Sequence, residues 1–155
     1  DRDSRGAIRP PRTLDERTAV MGVELTKDSV DIGIIVRDGP AALAFYKDFL
    51  GLEHIADTPV GGGGTMHRLM AGTSMIKVVE FDETPEPRPA PGGLRGGSGY
   101  RYWTMSVSNI DQLAEDAKSR GYAVPTEPTE IRPGVRIAMI EDPDGNWVEL
   151  LENNE

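Results

Sequence analysis

The chain contains no cysteine. That excludes disulfides, a thiol nucleophile and any zinc–thiolate site. It holds only two histidines, His54 and His67. No run of about 18 apolar residues is present, so no transmembrane helix is expected. The first residues lack a basic segment followed by an apolar stretch, so no secretory signal is expected either, and a cytoplasmic protein fits. Positive charge is scarce: 17 Lys and Arg stand against 26 Asp and Glu, for a net charge of −9. That balance argues against a general nucleic-acid or anionic-membrane partner. It leaves room for an anionic small molecule, because the charge inside a pocket can differ from the global sign. The glycine run at 61–64 is followed by no helix and no GK[ST], so it does not read as a phosphate cradle.

What is present says nearly the same thing twice. At 155 residues, with 37% apolar and 28% charged residues, the chain fits one compact domain or two interlocked halves. It closes on Asp142-Pro143-Asp144-Gly145-Asn146 and then Trp147-Val148-Glu149-Leu150-Leu151-Glu152. The first stretch has the proline and glycine of a tight turn. In the second, alternation puts Trp147, Glu149 and Leu151 on one face of a strand. An earlier copy, Ile76-Lys77-Val78-Val79-Glu80, aligns with Val148 to Glu152. Upstream, a strand from Asp31 and a strand from Tyr102 are each followed by a helical stretch and a glycine. Lys77 follows Asp31 by 46 residues and Glu149 follows Tyr102 by 47, as a duplicated supersecondary unit requires.

The resulting expectation is an α+β protein of two βαβββ modules. Residues 1–29 read as an arm, 30–81 as the first module, 82–99 as a Pro/Gly-rich connector able to lid a pocket, and 100–152 as the second module. In the first module, strands are expected at 30–36, 52–60, 65–71 and 74–81, with a helix at 40–50 stopped by Gly51. In the second, a strand at 100–107 precedes a helix at 110–120. A short segment at 122–124 and strands at 135–140 and 147–152 follow. The strand face carrying Ile32, Ile34, Ile76, Val78, Val148 and Leu150 is the more apolar and should pack beneath the helices. The other face carries Asp31, Lys77, Tyr102 and Glu149, with Arg37, Thr104 and Trp147 on the same parity.

The phrases Asp31-Ile-Gly-Ile-Ile-Val-Arg-Asp38, Phe45-Tyr46-Lys-Asp-Phe-Leu-Gly-Leu52, Gly99-Tyr-Arg-Tyr102 and the closing segment resemble the vicinal oxygen chelate superfamily. That superfamily includes glyoxalase I, methylmalonyl-CoA epimerase, extradiol dioxygenases and the fosfomycin and bleomycin resistance proteins. The resemblance spans roughly residues 30–152. It implies two half-barrels forming a cup, often completed across a homodimer, and up to four metal ligands at the starts of the first strands and on the fourth strands. Those four positions hold Asp31, Lys77, Tyr102 and Glu149, and only Glu149 matches the usual ligand type. An ammonium at Lys77 has no lone pair to donate. Making Glu80 the ligand instead would turn the strand over.

Three functions stay open. In the first, the four residues form a metal-free acid–base site of lyase or isomerase type acting beside a carbonyl. Lys77 stabilises negative charge, Asp31 or Glu149 moves a proton, and Tyr102 donates a hydrogen bond. No cofactor is expected there. Arg37, His67, Thr104 and Trp147 are candidate substrate contacts, with Arg37 suited to a carboxylate, while His54 reads as a solvated surface residue. In the second, Lys77 is only an internal salt-bridge partner and the cup sequesters a small molecule, as bleomycin resistance proteins do. In the third, an unusual oxygen-rich set holds a metal.

Overall fold

The computed structural model describes residues 22–155. The part of the expected arm at 1–21 lies outside the described residues. The chain divides into two units, Asp1–Val30 and Asp31–Glu155. In the first, residues 22–30 form bends without helix or strand, and Val23, Leu25 and Val30 are exposed.

The second unit carries the modules. The first runs β1 (Asp31–Ile35), α1 (Gly39–Leu43), a π-helical continuation (Ala44–Phe49), β2 (Glu53–Pro59), β3 (Gly64–Ala71) and β4 (Ser74–Phe81). The second runs β5 (Tyr102–Ser106), α2 (Ile110–Ser119), β6 (Thr126–Arg132), β7 (Val135–Glu141) and β8 (Trp147–Asn153). Each module makes one four-stranded sheet, ordered β1-β4-β3-β2 and β5-β8-β7-β6. In both, the first strand pairs in parallel with the fourth and the rest is antiparallel. The expected α+β class and its two βαβββ modules are therefore what the chain forms.

The register confirms the internal alignment. Gly33 lies opposite Lys77 and Thr104 lies opposite Glu149. Asp31 and Tyr102 open the two first strands opposite Met75 and Trp147. Val36 N–H donates to Val79 O and Val107 N–H donates to Leu151 O, both at 2.8 Å, so the duplicated ladders end alike.

Glu80 and Glu152 also keep equivalent roles. The Glu80 carboxylate accepts from Gly39 N–H at the start of α1, and Glu152 Oε2 accepts from Ile110 N–H, the first of α2, at 3.1 Å. Each satisfies a donor that a helix leaves unpaired at its N-terminus. Glu80 therefore serves the helix side of its sheet, and a register that turned it to the other face is overturned. Asp38 adds an N-cap, its Oδ1 accepting from Ala41 N–H at 3.0 Å.

Two expected elements are corrected. The single helix over 40–50 is a short α-helix running into a π segment, in which Leu50 N–H reaches Phe45 O at 2.9 Å. The wider turn sets Phe45, Tyr46 and Phe49 inward together. In the second module the missing strand is Thr126–Arg132; 122–124 forms none. Thr126–Arg132 is an edge strand carrying Pro128 and charged residues, with register shifts along its pairing to β7. Proline and charge are usual on an edge and hide it from a pattern search.

Both modules bury one shared core. Phe45, Tyr46, Leu69, Ile76 and Val78 from the first meet Ile110, Ile140, Val148 and Leu150 from the second. Aromatic contacts cross the boundary: Phe45 meets Tyr122 edge-on at 4.9 Å, and Tyr46 stacks near Trp103 at 6.4 Å. A buried hydrogen bond crosses it too, from the Tyr46 hydroxyl to Asp142 Oδ2 at 2.7 Å. Asp142 Oδ1 accepts from the backbone N–H groups of Asp144 and Asn146, at 2.9 and 2.8 Å, within the turn before β8. Burial pushes the Asp142 carboxyl above its ordinary range, although these hydrogen bonds pull the other way.

Candidate active site

Strand alternation sends Asp31, Gly33 and Ile35 of β1, and Tyr102, Thr104 and Ser106 of β5, away from the shared core; all six are exposed. On these outward faces, one per sheet, two first-to-fourth-strand contacts occupy the duplicated positions. Lys77 Nζ lies 3.2 Å from Asp31 Oδ2, both side chains 30% exposed. The Thr104 hydroxyl donates to Glu149 Oε1 at 2.9 Å. Each sheet thus holds one carboxylate in contact with a polar partner, and one sheet adds a cation. Tyr102 is half-exposed at the head of β5.

The other expected contacts fall in three places. Trp147 carries part of the connector. Its indole lies under Gly93, whose φ is +61° and where a Cβ would overlap the ring. Its Nε1 donates to Glu141 Oε1 at 3.2 Å. Arg101 fastens the same stretch, its guanidinium donating to Gly93 O and Ala90 O at 2.6 to 2.8 Å. The connector also includes the 3₁₀ turn Gly93–Arg95.

Arg37 sits where β1 ends. Its backbone N–H donates to Asp144 Oδ2 at 3.1 Å and its Nη1 to Pro85 O at 2.6 Å. Together with Ile35, Phe81, Pro85 and Arg88 it lines a largely apolar cavity of about 350 Å³. Ile35 shares the outward face of Asp31, four residues along β1, so the cavity lies on the order of 13 Å from that end of the strand. Connector residues Pro85, Pro87, Arg88 and Pro89 therefore wall a pocket.

His67 departs from the expectation. In β3 it lies opposite Val78, whereas Arg68 lies opposite Lys77. Alternation therefore puts His67 on the opposite face from Lys77. There it meets Asp57 and His54. His54, expected to be solvated, has a side chain only 23% exposed.

Two four-stranded modules of parallel and antiparallel pairs, with an outward polar row on the first and fourth strands, define a glyoxalase-like fold. The sequence model of the Glyoxalase/Bleomycin resistance protein/Dioxygenase superfamily matches residues 28–150, and the chain belongs to that family. Over 57 residues, 36% of the chain, it is 39% identical to a probable chloroplastic lactoylglutathione lyase of Arabidopsis thaliana, and that stretch covers 16% of the relative. The chain thus matches about a sixth of that protein's length. Its fold is similar to that of a glyoxalase family protein from Bacillus cereus, with a TM-score of 0.73 at 18% identity, covering 86% of this chain and 97% of the other. It is also similar to a variant of glyoxalase I from Zea mays, with a TM-score of 0.67 at 20% identity, covering 80% of this chain and 46% of the other. Among the described residues, no helix is long and apolar enough to cross a membrane.

Proposed function

We propose that the chain is a small-molecule enzyme of lyase or isomerase type that moves a proton beside a carbonyl, using Lys77 in place of a metal. The observation that carries this reading is the Lys77–Asp31 pair on the outward face of the first sheet, at the duplicated position where the second module has Glu149. The donor set does not fit a divalent cation at these four positions. The Lys77 ammonium offers no lone pair, and at a few ångströms it would repel the ion.

The residues divide the work as follows. Lys77, oriented by Asp31, stabilises the negative charge that develops on the carbonyl oxygen as the neighbouring carbon loses its proton. Glu149, oriented by the Thr104 hydroxyl, accepts that proton and returns it to the product. Tyr102 donates a hydrogen bond to a second substrate oxygen. Arg37 and Arg88, beside the apolar wall of the cavity, suit a substrate with a carboxylate and a short apolar portion. The lactoylglutathione lyase relative makes a thioester-bearing hydroxy acid the first compound to try. A homodimer that completes the cup, in the cytoplasm, is part of the proposal.

The test is solvent-deuterium exchange at the carbon beside the carbonyl, followed by NMR over a panel of carbonyl compounds that begins with lactoylglutathione. Wild type should exchange a proton in at least one compound. Lys77→Met should exchange it at least a hundredfold more slowly, with an unchanged circular dichroism spectrum. Equal rates in the two proteins would remove Lys77 as the electrophile. Stoichiometric retention of a compound without exchange would favour a sequestering protein instead.

A further inference from the structure

The geometry points to a divalent transition-metal site on the helix-side face of the first sheet, at its edge strand β2, formed by His54, Asp57 and His67. It is on the opposite face of that sheet from Lys77. The chain's only two histidines converge there on one carboxylate oxygen. His54 Nε2 lies 2.6 Å and His67 Nδ1 lies 2.7 Å from Asp57 Oδ1. The ring centroids are 5.9 Å apart, and one ligand atom from each of the three residues falls within 4.8 Å of the other two.

A local irregularity creates this convergence. Asp57 and His67 are direct partners across β2 and β3. His54 is three residues before Asp57, and in a regular strand that odd spacing would place it on the opposite face. The register shifts between His54 and Ala56, because His54 pairs with Leu69 and Ala56 already pairs with Arg68. Ile55 is the extra residue of a β-bulge, and the bulge brings His54 round to the side of Asp57 and His67.

The donor set is selective. Two imidazole nitrogens and one carboxylate oxygen suit zinc, cobalt, nickel or copper rather than magnesium or calcium. Three protein ligands leave a fourth position open. Asp57 is half-exposed, while His67 and His54 are 13% and 23% exposed, so an ion can enter against two held rings. Metal–ligand bonds near 2.05 Å in a tetrahedron put ligand atoms about 3.3 Å apart. To admit the ion the two nitrogens draw back from Asp57 by about 0.6 Å and settle about 3.3 Å from each other, starting from within 4.8 Å. An ion here would clip the edge strand β2 to β3.

The experiment is a titration of the full chain with Co²⁺ followed by visible absorption, then displacement by Zn²⁺ and a melt with and without Zn²⁺. One equivalent of cobalt should give the d–d bands of a low-coordinate nitrogen–oxygen site. Zinc well above its dissociation constant should raise Tm by roughly 5 °C or more. His54→Gln and His67→Gln should each weaken cobalt binding at least tenfold, and Glu149→Gln should leave it unchanged. Absence of binding would overturn the proposal. So would binding that survives both histidine variants, or binding abolished by Glu149→Gln and untouched by them, which would put the ion in the cup.

Discussion

At the scale of single residues, charge is placed by strand parity and hydrogen bonding more than by overall composition. Asp142 is the clearest case. Its carboxylate organises the turn before β8 and also receives the Tyr46 hydroxyl from the first module. Tyr46→Phe should destabilise the protein by about 1 kcal/mol, because it removes one of two donors to a buried carboxylate oxygen and leaves only Asn146 Nδ2, and urea unfolding measures it. Burial raises the folded-state pKa of Asp142 above the ordinary carboxylate value of 3.8. The native state therefore binds this proton more tightly than the unfolded chain. Between 3.8 and the raised value, this group's contribution to stability grows as pH falls and is lost as pH rises. Unfolding free energies measured across that range should favour wild type over Asp142→Asn progressively toward acid. Asp57 runs the other way. Its hydrogen bonds with His67 first, then His54, hold it below 3.8, so its small contribution is present above 3.8 and lost in acid. The acidic closing motif was legible as a turn in the sequence. Its second role was not, because the donor lies 96 residues away.

At the scale of elements, the duplication was the most readable signal and the irregularities were the least. The register of both sheets follows from aligning Lys77 with Glu149 and Asp31 with Tyr102. The same alignment pairs Glu80 with Glu152, whose shared task at the helix starts emerges only with the fold. The π segment, the edge strand Thr126–Arg132 and the bulge at Ile55 all depart from the two periodicities on which such reading rests. The bulge hid the meeting of His54 with His67, since regular alternation separates His54 from Asp57. The connector is a further element whose conformation its Pro/Gly composition conceals. Gly93 holds it against Trp147, and an alanine there would meet both the ring and an unfavourable positive φ. Gly93→Ala should cost about 1–3 kcal/mol and loosen the stretch at 82–99. Limited proteolysis should then cut that stretch several-fold faster, with a matching change in tryptophan fluorescence.

At the scale of the whole molecule, two modules share a single core, tied by Phe45–Tyr122 packing and the Tyr46–Asp142 bond. They should therefore unfold together, in one transition seen alike by far-ultraviolet circular dichroism and tryptophan fluorescence. The shared core leaves the polar row of each sheet outward, so the chemistry of this family member rests on what those rows hold. The proposed histidine site on the helix-side face of the first sheet sharpens how that chemistry is tested, because metal bound to the protein need not be metal beside Lys77. The most direct measurement is the rate of solvent-deuterium exchange beside the substrate carbonyl before and after exhaustive chelation, in wild type and in His67→Gln. The Lys77 account predicts the same rate in all four samples. A rate lost from both proteins on chelation and restored by added metal would contradict it.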